Sequence, residues 1–98
     1  MPRRQRDLLR RLAARYLWWE TVERALRHPD QIVAQTMALG DFADVLELER
    51  RLGRDRMRRV LLRAAPGQFD ERSWAFWHYR LGLARPEQVP QRPRRTFA

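Results

Sequence analysis

Residues 73–83 read SWAFWHYRLGL, and this aromatic stretch decides what kind of fold the chain adopts. At 100° per residue, a helix places Trp74 and Trp77 on one side and Phe76 and Tyr79 nearly opposite. A helix that is apolar nearly all round is either central in its fold or has one face against another chain. The stretch therefore predicts a core helix and leaves open whether one of its two aromatic faces is a partner surface.

The residues before this helix carry the signals of a helix start. Asp70 is the predicted N-cap, and Phe69 and Trp74 have the spacing of a hydrophobic staple. Similar signals recur along the chain and predict short helices joined by tight turns. The further predicted caps are Asp30 and Asp41 at helix starts and Gly40, Gly53 and Gly82 at helix ends.

Two other segments have apolar residues at helical spacing. The first follows a basic leader and contains Leu8, Leu9, Leu12 and Tyr16. The second contains Met57, Val60, Leu61 and Ala64. Residues 21–27 fit a single short turn or helix, and no stretch has the alternation and β-branched enrichment of a strand.

The sequence therefore predicts an all-α fold, in which one compact domain contains four to five short helices with basic, flexible termini. Its 98 residues are enough for one small core and too few for two independent ones. The predicted organisation is a basic flexible leader over 1–7, a helical domain over 8–83, and a Pro/Arg-rich extended tail over 84–98.

The composition excludes several classes of function. There is no cysteine, which excludes disulfides, Cys-ligated zinc and thiol catalysis. No apolar run is long enough to span a membrane, so a cytoplasmic protein without membrane contact is predicted. The net charge is +9, and all 21 basic residues are arginine. Most of the excess positive charge lies in the two flanks, which leaves nucleic acid open as a partner.

His78 is the residue of the aromatic stretch that invites a catalytic or metal-binding interpretation. A general base needs a nucleophile or carboxylate within reach, and Ser73 and Asp70 are badly placed for this on the same helix. A metal ligand needs companions, and the only other histidine is His28, with no helical metal-binding motif around either. We interpret His78 as a structural or interface residue, and the sequence predicts no enzyme, no cofactor and no metal site.

Tyr-Leu-Trp-Trp-Glu at 16–20 is a second aromatic cluster. Adjacent Trp18 and Trp19 cannot both face one core from a helix. We expect one of them to pack and the other to cover a seam or a partner. With the two aromatic faces of the 73–83 helix, this is more aromatic surface than one small core readily absorbs. The protein-interaction candidates are Trp18, Trp19, Trp74, Trp77 and Tyr79.

Between Arg50 and Arg63 the chain carries seven arginines and one aspartate. An acidic block precedes this run and contains Asp41, Asp44, Glu47 and Glu49. One interpretation is two solvated helix faces with ion pairs between or along them. The other is a basic helix that contacts the phosphates of a nucleic acid or an acidic partner. The candidates for that contact are Arg56, Arg59 and Arg63.

Two segments carry a family resemblance, RYLWWETVERALRHPDQIVAQTMALGDFADVLELERRLG at 15–53 and PGQFDERSWAFWHYRLGL at 66–83. With their Trp-Trp segment, Gly-Asp helix end, leucine-rich helix and Ser-x-x-x-Trp-x-x-x-Leu-Gly ending, they resemble a family of short, uncharacterised bacterial helical proteins. Members are often encoded beside abortive-infection nucleotidyltransferase-type toxins, which implies an antitoxin-like role. The resemblance rests on packing residues, and it makes the five aromatic candidates the natural toxin-facing residues.

We therefore expect a non-catalytic protein-interaction module, antitoxin-like, that binds a nucleotidyltransferase-type toxin through an aromatic-anchored surface. The alternative is a nucleic-acid-binding regulator that uses the basic helix at Arg50–Arg63 and the basic tails. A second copy of the chain is also left open as a partner.

Overall fold

The computed structural model describes residues 3–94, and every regular element within them is helical. The all-α prediction is confirmed, and the chain forms one compact globule with a radius of gyration of 13.6 Å. The α-helices are α1 (Arg3–Tyr16), α2 (Val22–Ala25), α3 (Pro29–Leu39), α4 (Phe42–Leu52), α5 (Arg54–Leu62) and α6 (Glu71–Arg80), and a 3₁₀ turn follows at Pro86–Gln88.

The described residues thus contain six α-helices, slightly more than the four to five predicted. The difference comes from short elements, because α2 is a separate helix of a single turn. The side chain of Thr21 caps this turn by accepting a hydrogen bond from the backbone N–H of Arg24 at 3.2 Å. A local cap is therefore enough to make residues 22–25 helical between two longer helices.

The N-terminal boundary also differs from the prediction. Helix α1 begins at Arg3, inside the range predicted as a flexible leader. Arginine and glutamine are good helix formers, and neither glycine nor proline interrupts residues 3–7. The remaining parts of the predicted leader and tail, residues 1–2 and 95–98, lie outside the described residues.

Described residues of the predicted flexible tail lie against α6. The indole N–H of Trp74 donates to the carbonyl of Pro90 at 2.7 Å. The guanidinium of Arg92 donates to the carbonyl of Phe69 at 3.1 Å, and Val89 packs against the core. A 3₁₀ turn at Pro86–Gln88 interrupts this tail, and specific contacts hold the described residues after it, whereas the prediction was an extended and flexible tail.

Helix α3 is the centre of the fold and contacts α1, α2, α4, α5 and α6. Its buried positions span more than half of the helix circumference. They are Ile32, Val33, Ala34, Thr36 and Met37. The hydroxyl of Thr36 donates to the carbonyl of Ile32 at 2.9 Å, which satisfies this polar group inside the core.

Helix α6 packs on α3 with only one of its aromatic faces. Trp77 is fully buried, and its indole N–H donates to the carbonyl of Met37 at 2.7 Å. That carbonyl lies in the last turn of α3, where helix carbonyls lack an intrahelical donor, so the indole caps this helix end. On the opposite face, Phe76 and Tyr79 are exposed. One aromatic face of α6 therefore belongs to the core, and the other faces solvent.

The N-caps predicted at the starts of α4 and α6 are confirmed. The side chain of Asp41 accepts from the N–H of Asp44 at 2.9 Å, and that of Asp70 accepts from the N–H of Ser73 at 2.7 Å. Hydrogen bonds from the backbone and then the hydroxyl of Ser73 hold the pKa of Asp70 below its usual value. Each carboxylate therefore lies at the N-terminus of its helix, where the helix dipole favours negative charge.

The connection between α4 and α5 is the single residue Gly53. Its φ of 86° and ψ of 157° lie in a region that only glycine adopts without strain. Of the two other glycines predicted at helix ends, Gly82 follows α6 with a positive φ of 71°, whereas Gly40 has an ordinary φ of −68°. A Cβ at Gly40 would lie 2.4 Å from the carbonyl oxygen of Thr36, so this position needs glycine for space.

Replacing Gly53 with alanine is expected to lower the free energy of unfolding by about 1–2 kcal/mol. A Cβ at this position would meet no atom within 4 Å, so the loss comes from backbone strain and not from a clash. Urea unfolding followed by circular dichroism measures the change. An unfolding midpoint equal to that of the unsubstituted chain would contradict the backbone conformation assigned to this turn.

Candidate interaction surfaces

Two exposed tryptophans lie side by side in the turn between α1 and α2. Trp18 is 77% exposed and Trp19 is 54% exposed. Their rings contact each other edge to face, with 5.7 Å between centroids. The expectation that one of the pair packs in the core is wrong, because both side chains face solvent. The two adjacent indoles form an exposed apolar patch.

Leu17 explains why neither tryptophan enters the core. Its side chain is buried, and its N–H donates to the carbonyl of Ala13 at 2.8 Å, so it takes the last core position next to α1. The N–H of Glu20 then donates to the carbonyl of Leu17 at 3.0 Å and closes a turn around the pair. The two indoles therefore lie on a hydrogen-bonded turn whose first residue, Leu17, is buried in the core.

The end of α1 that supports this turn is tied to the start of α4. The hydroxyl of Tyr16 donates to Asp44 Oδ2 at 2.6 Å and accepts from the N–H of Asp41 at 3.2 Å. Arg15 forms ion pairs with both carboxylates, at 2.9 Å to Asp41 and 2.8 Å to Asp44. Burial and then the hydrogen bond to Asp44 raise the pKa of Tyr16, so its hydroxyl remains a donor.

Asp44 is the buried centre of this network. Arg11 donates to its Oδ1 at 2.8 Å and also binds Glu47 at 2.7 Å. Burial raises the pKa of Asp44, but the hydrogen bonds from Arg11 and Tyr16 and the charges of Arg11 and Arg15 outweigh it, so the pKa lies below its usual value. Asp44 is therefore an ionised structural residue that joins α1 to α4.

Trp74 and Trp77, two of the predicted interaction residues, lie in the core. The ring of Trp74 packs on that of His78 with 4.3 Å between centroids. Trp74 is 6% exposed and Trp77 is fully buried, so neither is an exposed aromatic side chain. Among the predicted residues of α6, only Tyr79 is exposed, next to Phe76 on the same outward face.

The contacts of His78 give it a structural role. Its side chain is buried, and Nδ1 lies 2.7 Å from the carbonyl oxygen of Trp74. A carbonyl oxygen only accepts hydrogen bonds, so the proton is assigned to Nδ1. The imidazole thereby links two consecutive turns of α6.

Helix α5 buries the apolar face that the sequence predicted, and the arginines on its other side are partly used within the fold. Arg56 forms an ion pair with Asp30 at 3.3 Å. Asp30 was predicted to be the N-cap of α3, but the helix already begins at Pro29. Asp30 therefore lies in its first turn, and His28 is the N-cap. Arg59 and Arg63 are exposed and form no ion pair with any residue from 3 to 94.

A shallow apolar groove of about 290 Å³ lies between α4 and α6. Buried Met37, Val45 and Trp77 contribute to its floor, and exposed Phe42 and Phe76 contribute to its rim. Sequence reasoning missed Phe42 as an exposed aromatic residue, because one phenylalanine next to an N-cap carries no periodic signal. The groove adds a second apolar surface to that of the tryptophan pair.

Within the described part of the chain, no helix is both long and apolar enough to cross a membrane. The same residues contain no group of three or more histidine, aspartate or glutamate side chains arranged to hold a metal ion. No protein-family model, curated protein or solved structure matches the chain.

Proposed function

We propose that this chain is a non-catalytic protein-interaction module that binds its partner through Trp18 and Trp19. The observation that carries the proposal is the exposure of this pair, 77% and 54%, on a turn that Leu17 anchors in the core. Tryptophan is among the residues that dominate binding energy at protein interfaces. Covering the two indoles contributes about 25 cal/mol for each Å² of apolar surface removed from water, before the entropy cost of association is subtracted.

The support beneath the pair strengthens this proposal. A binding surface that is ordered before association avoids part of the entropy cost of binding. Here Leu17 anchors the turn in the core, and Tyr16 and Arg15 join the end of α1 to α4. The two indoles are thus presented without a requirement for the neighbouring backbone to fold on binding.

The partner we propose is a nucleotidyltransferase-type toxin, as the resemblance of residues 15–53 and 66–83 implies. An antitoxin-like protein of this kind acts by covering or restraining the toxin, and it needs a contact surface and no reaction centre. Trp18 and Trp19 are the toxin-facing residues in this proposal. Tyr79 lies on a separate outward face and is a secondary candidate.

A Trp18→Ala, Trp19→Ala double variant is expected to bind the toxin at least about 30-fold more weakly, the loss typical of an interface hot spot. The measurement is isothermal titration of the purified chain with a nucleotidyltransferase-type toxin that its gene adjoins. Co-expression of the same two proteins gives a second readout, because the double variant should fail to relieve toxicity.

Leu62→Ala is the matched control, because Leu62 is also highly exposed but lies at the end of α5. It is expected to leave both the affinity and the relief of toxicity unchanged. Circular dichroism should show that both variants keep the helical content of the unsubstituted chain. A folded double variant that binds as tightly as the control would refute the role of the tryptophan pair.

Nucleic-acid binding is the second candidate function. It is favoured by the net charge of +9 and by exposed arginines without ion pairs among the described residues, such as Arg59 and Arg63. Clustered positive charge of this kind attracts phosphates without any sequence-specific contact. For this function, we expect the chain to bind a short DNA duplex or RNA at low salt and to release it at high salt.

A further inference from the structure

Four arginines from α1 and α4 line two adjoining concave sites. Arg4, Arg11 and Arg51 line a cavity of about 350 Å³, together with Asp7 and Glu47. Arg50 and Arg51 line a second cavity of about 540 Å³, which also includes Glu47. We call Arg4, Arg50 and Arg51 the α1–α4 arginine cluster. Arg51 and Glu47 belong to both cavities, so the two sites form one continuous surface.

Of the two carboxylates that line these cavities, Glu47 is paired with Arg11, an arginine outside the cluster. Glu47 accepts a hydrogen bond from Arg11 at 2.7 Å, and Arg11 also binds Asp44. None of the three guanidinium groups of the cluster forms a hydrogen bond or ion pair with a residue from 3 to 94. Asp7 is the one acidic residue of the two cavities that lacks an ion pair within the same range.

The helix dipole explains the positions of Arg50 and Arg51 but not that of Arg4. Arg50 and Arg51 lie in the last turn of α4, where positive charge is favourable with the helix dipole. Arg4 lies in the first turn of α1, which contains no acidic residue and where positive charge is unfavourable. The position of Arg4 therefore works against helix stability while it adds a third cation to the same surface.

We propose that the α1–α4 arginine cluster binds the backbone phosphates of a nucleic acid. This inference rests on the second candidate function and gives it a site different from the one predicted on α5. Arginines without internal partners, gathered along a concave surface, provide the sequence-independent contacts that phosphates require. A membrane surface fits less well, because none of the exposed large apolar side chains lines either cavity.

The test compares the unsubstituted chain with an Arg4→Gln, Arg50→Gln, Arg51→Gln variant. Binding to a labelled mixed-sequence DNA duplex and to a labelled single-stranded RNA is measured by fluorescence anisotropy at about 50 and 200 mM salt. The variant is expected to lose about 10- to 100-fold in affinity at the lower salt concentration. The slope of log affinity against log salt is expected to fall by about 2–3, close to one for each phosphate contact removed.

The matched control is an Arg24→Gln, Arg27→Gln, Arg85→Gln variant, which leaves both the cluster and the α5 arginines intact. These three exposed arginines also lack ion pairs within the described residues, so the change in net charge is identical. The control is expected to lose less than about 5-fold, because it changes only the long-range field of the protein. Glutamine keeps a high helix propensity, so both variants should retain the fold.

An additional variant, Asp7→Asn, removes the acidic side chain that opposes the cluster and should raise the affinity about 2- to 3-fold. If the unsubstituted chain binds neither nucleic acid at low salt, the second candidate function is refuted. If both triple variants lose affinity equally, nucleic-acid binding stands and the assigned site is refuted. Phosphatidylserine vesicles are the third probe, and cluster-dependent binding to vesicles alone would assign the surface to lipid headgroups and overturn the proposal.

Discussion

Replacing Trp77 with alanine is expected to lower the free energy of unfolding by about 4 kcal/mol, the largest loss expected for a single substitution in this chain. Trp77 is fully buried against α3, so its removal leaves a cavity the size of an indole. The substitution also leaves the carbonyl of Met37 without its donor at the end of α3. In a domain of this size, such a loss is a large part of the total stability.

Trp77→Phe separates the two causes. Phenylalanine fills most of the space but has no N–H, so this variant is expected to lose about 1–2 kcal/mol. Urea unfolding followed by tryptophan fluorescence and circular dichroism measures both variants. A loss below about 1 kcal/mol for Trp77→Ala would contradict the central position assigned to this side chain.

The second large effect is expected at Asp44. Replacing it with asparagine should lower the free energy of unfolding by about 2–3 kcal/mol at neutral pH. The substitution removes the negative charge between Arg11 and Arg15, and it replaces an acceptor with an amide donor that faces other donors. Both arginines are about half exposed, so water partly compensates them and the loss stays below that of a fully buried ion pair.

The effect of Asp44→Asn should depend on pH. Because the folded state lowers the pKa of Asp44, the unfolded chain binds the proton more readily than the folded one. The stability that Asp44 contributes is therefore fully present above its unfolded pKa, about 4, and is lost as the pH falls through the folded pKa. The difference between the two proteins should stay constant from about pH 7 to 5 and shrink below about pH 4.

Asp55→Asn provides the control for this experiment. Asp55 is exposed, and among residues 3–94 it pairs only with Arg58, three residues further along α5. The loss expected for this variant is below about 1 kcal/mol, as for other surface ion pairs. If Asp44→Asn and Asp55→Asn reduced stability equally across the pH range, the buried network would have no energetic role.

The parts of the fold that sequence reasoning predicted depend on residues close together in the chain. Asp41 and Asp70 cap helices through N–H groups only three residues away. Phe69 and Trp74 form the predicted staple, with 5.9 Å between ring centroids. Such contacts are encoded by spacing alone, so one sequence is enough to find them.

The outward face of α6 was not predictable in the same way. Which aromatic residues are buried depends on the carbonyl of Met37, which lies 40 residues away from Trp77. The amphipathic pattern offered two nearly equivalent faces, and only the end of α3 distinguishes them. Trp74 and Trp77 were therefore predicted as interaction residues, although both side chains are buried in the core.

Asp44 is a second example of a long-range effect. The sequence placed it in an acidic block, which is consistent with a solvated helix face. It lies directly before Val45 and four residues before Leu48, on the side of α4 that faces the core. Its burial requires Arg11, Arg15 and Tyr16 to meet it from α1, and no local pattern indicates that meeting.

The contact between Trp77 and Met37 also has a consequence for synthesis of the chain on the ribosome. Helix α3 emerges long before α6, so the nascent chain exposes the seat of Trp77 on α3 while translation continues. Chains released before residue 77 would expose the same apolar seat permanently, as incompletely folded chains do when they aggregate. Burial of this surface of α3 therefore requires a chain that extends through α6.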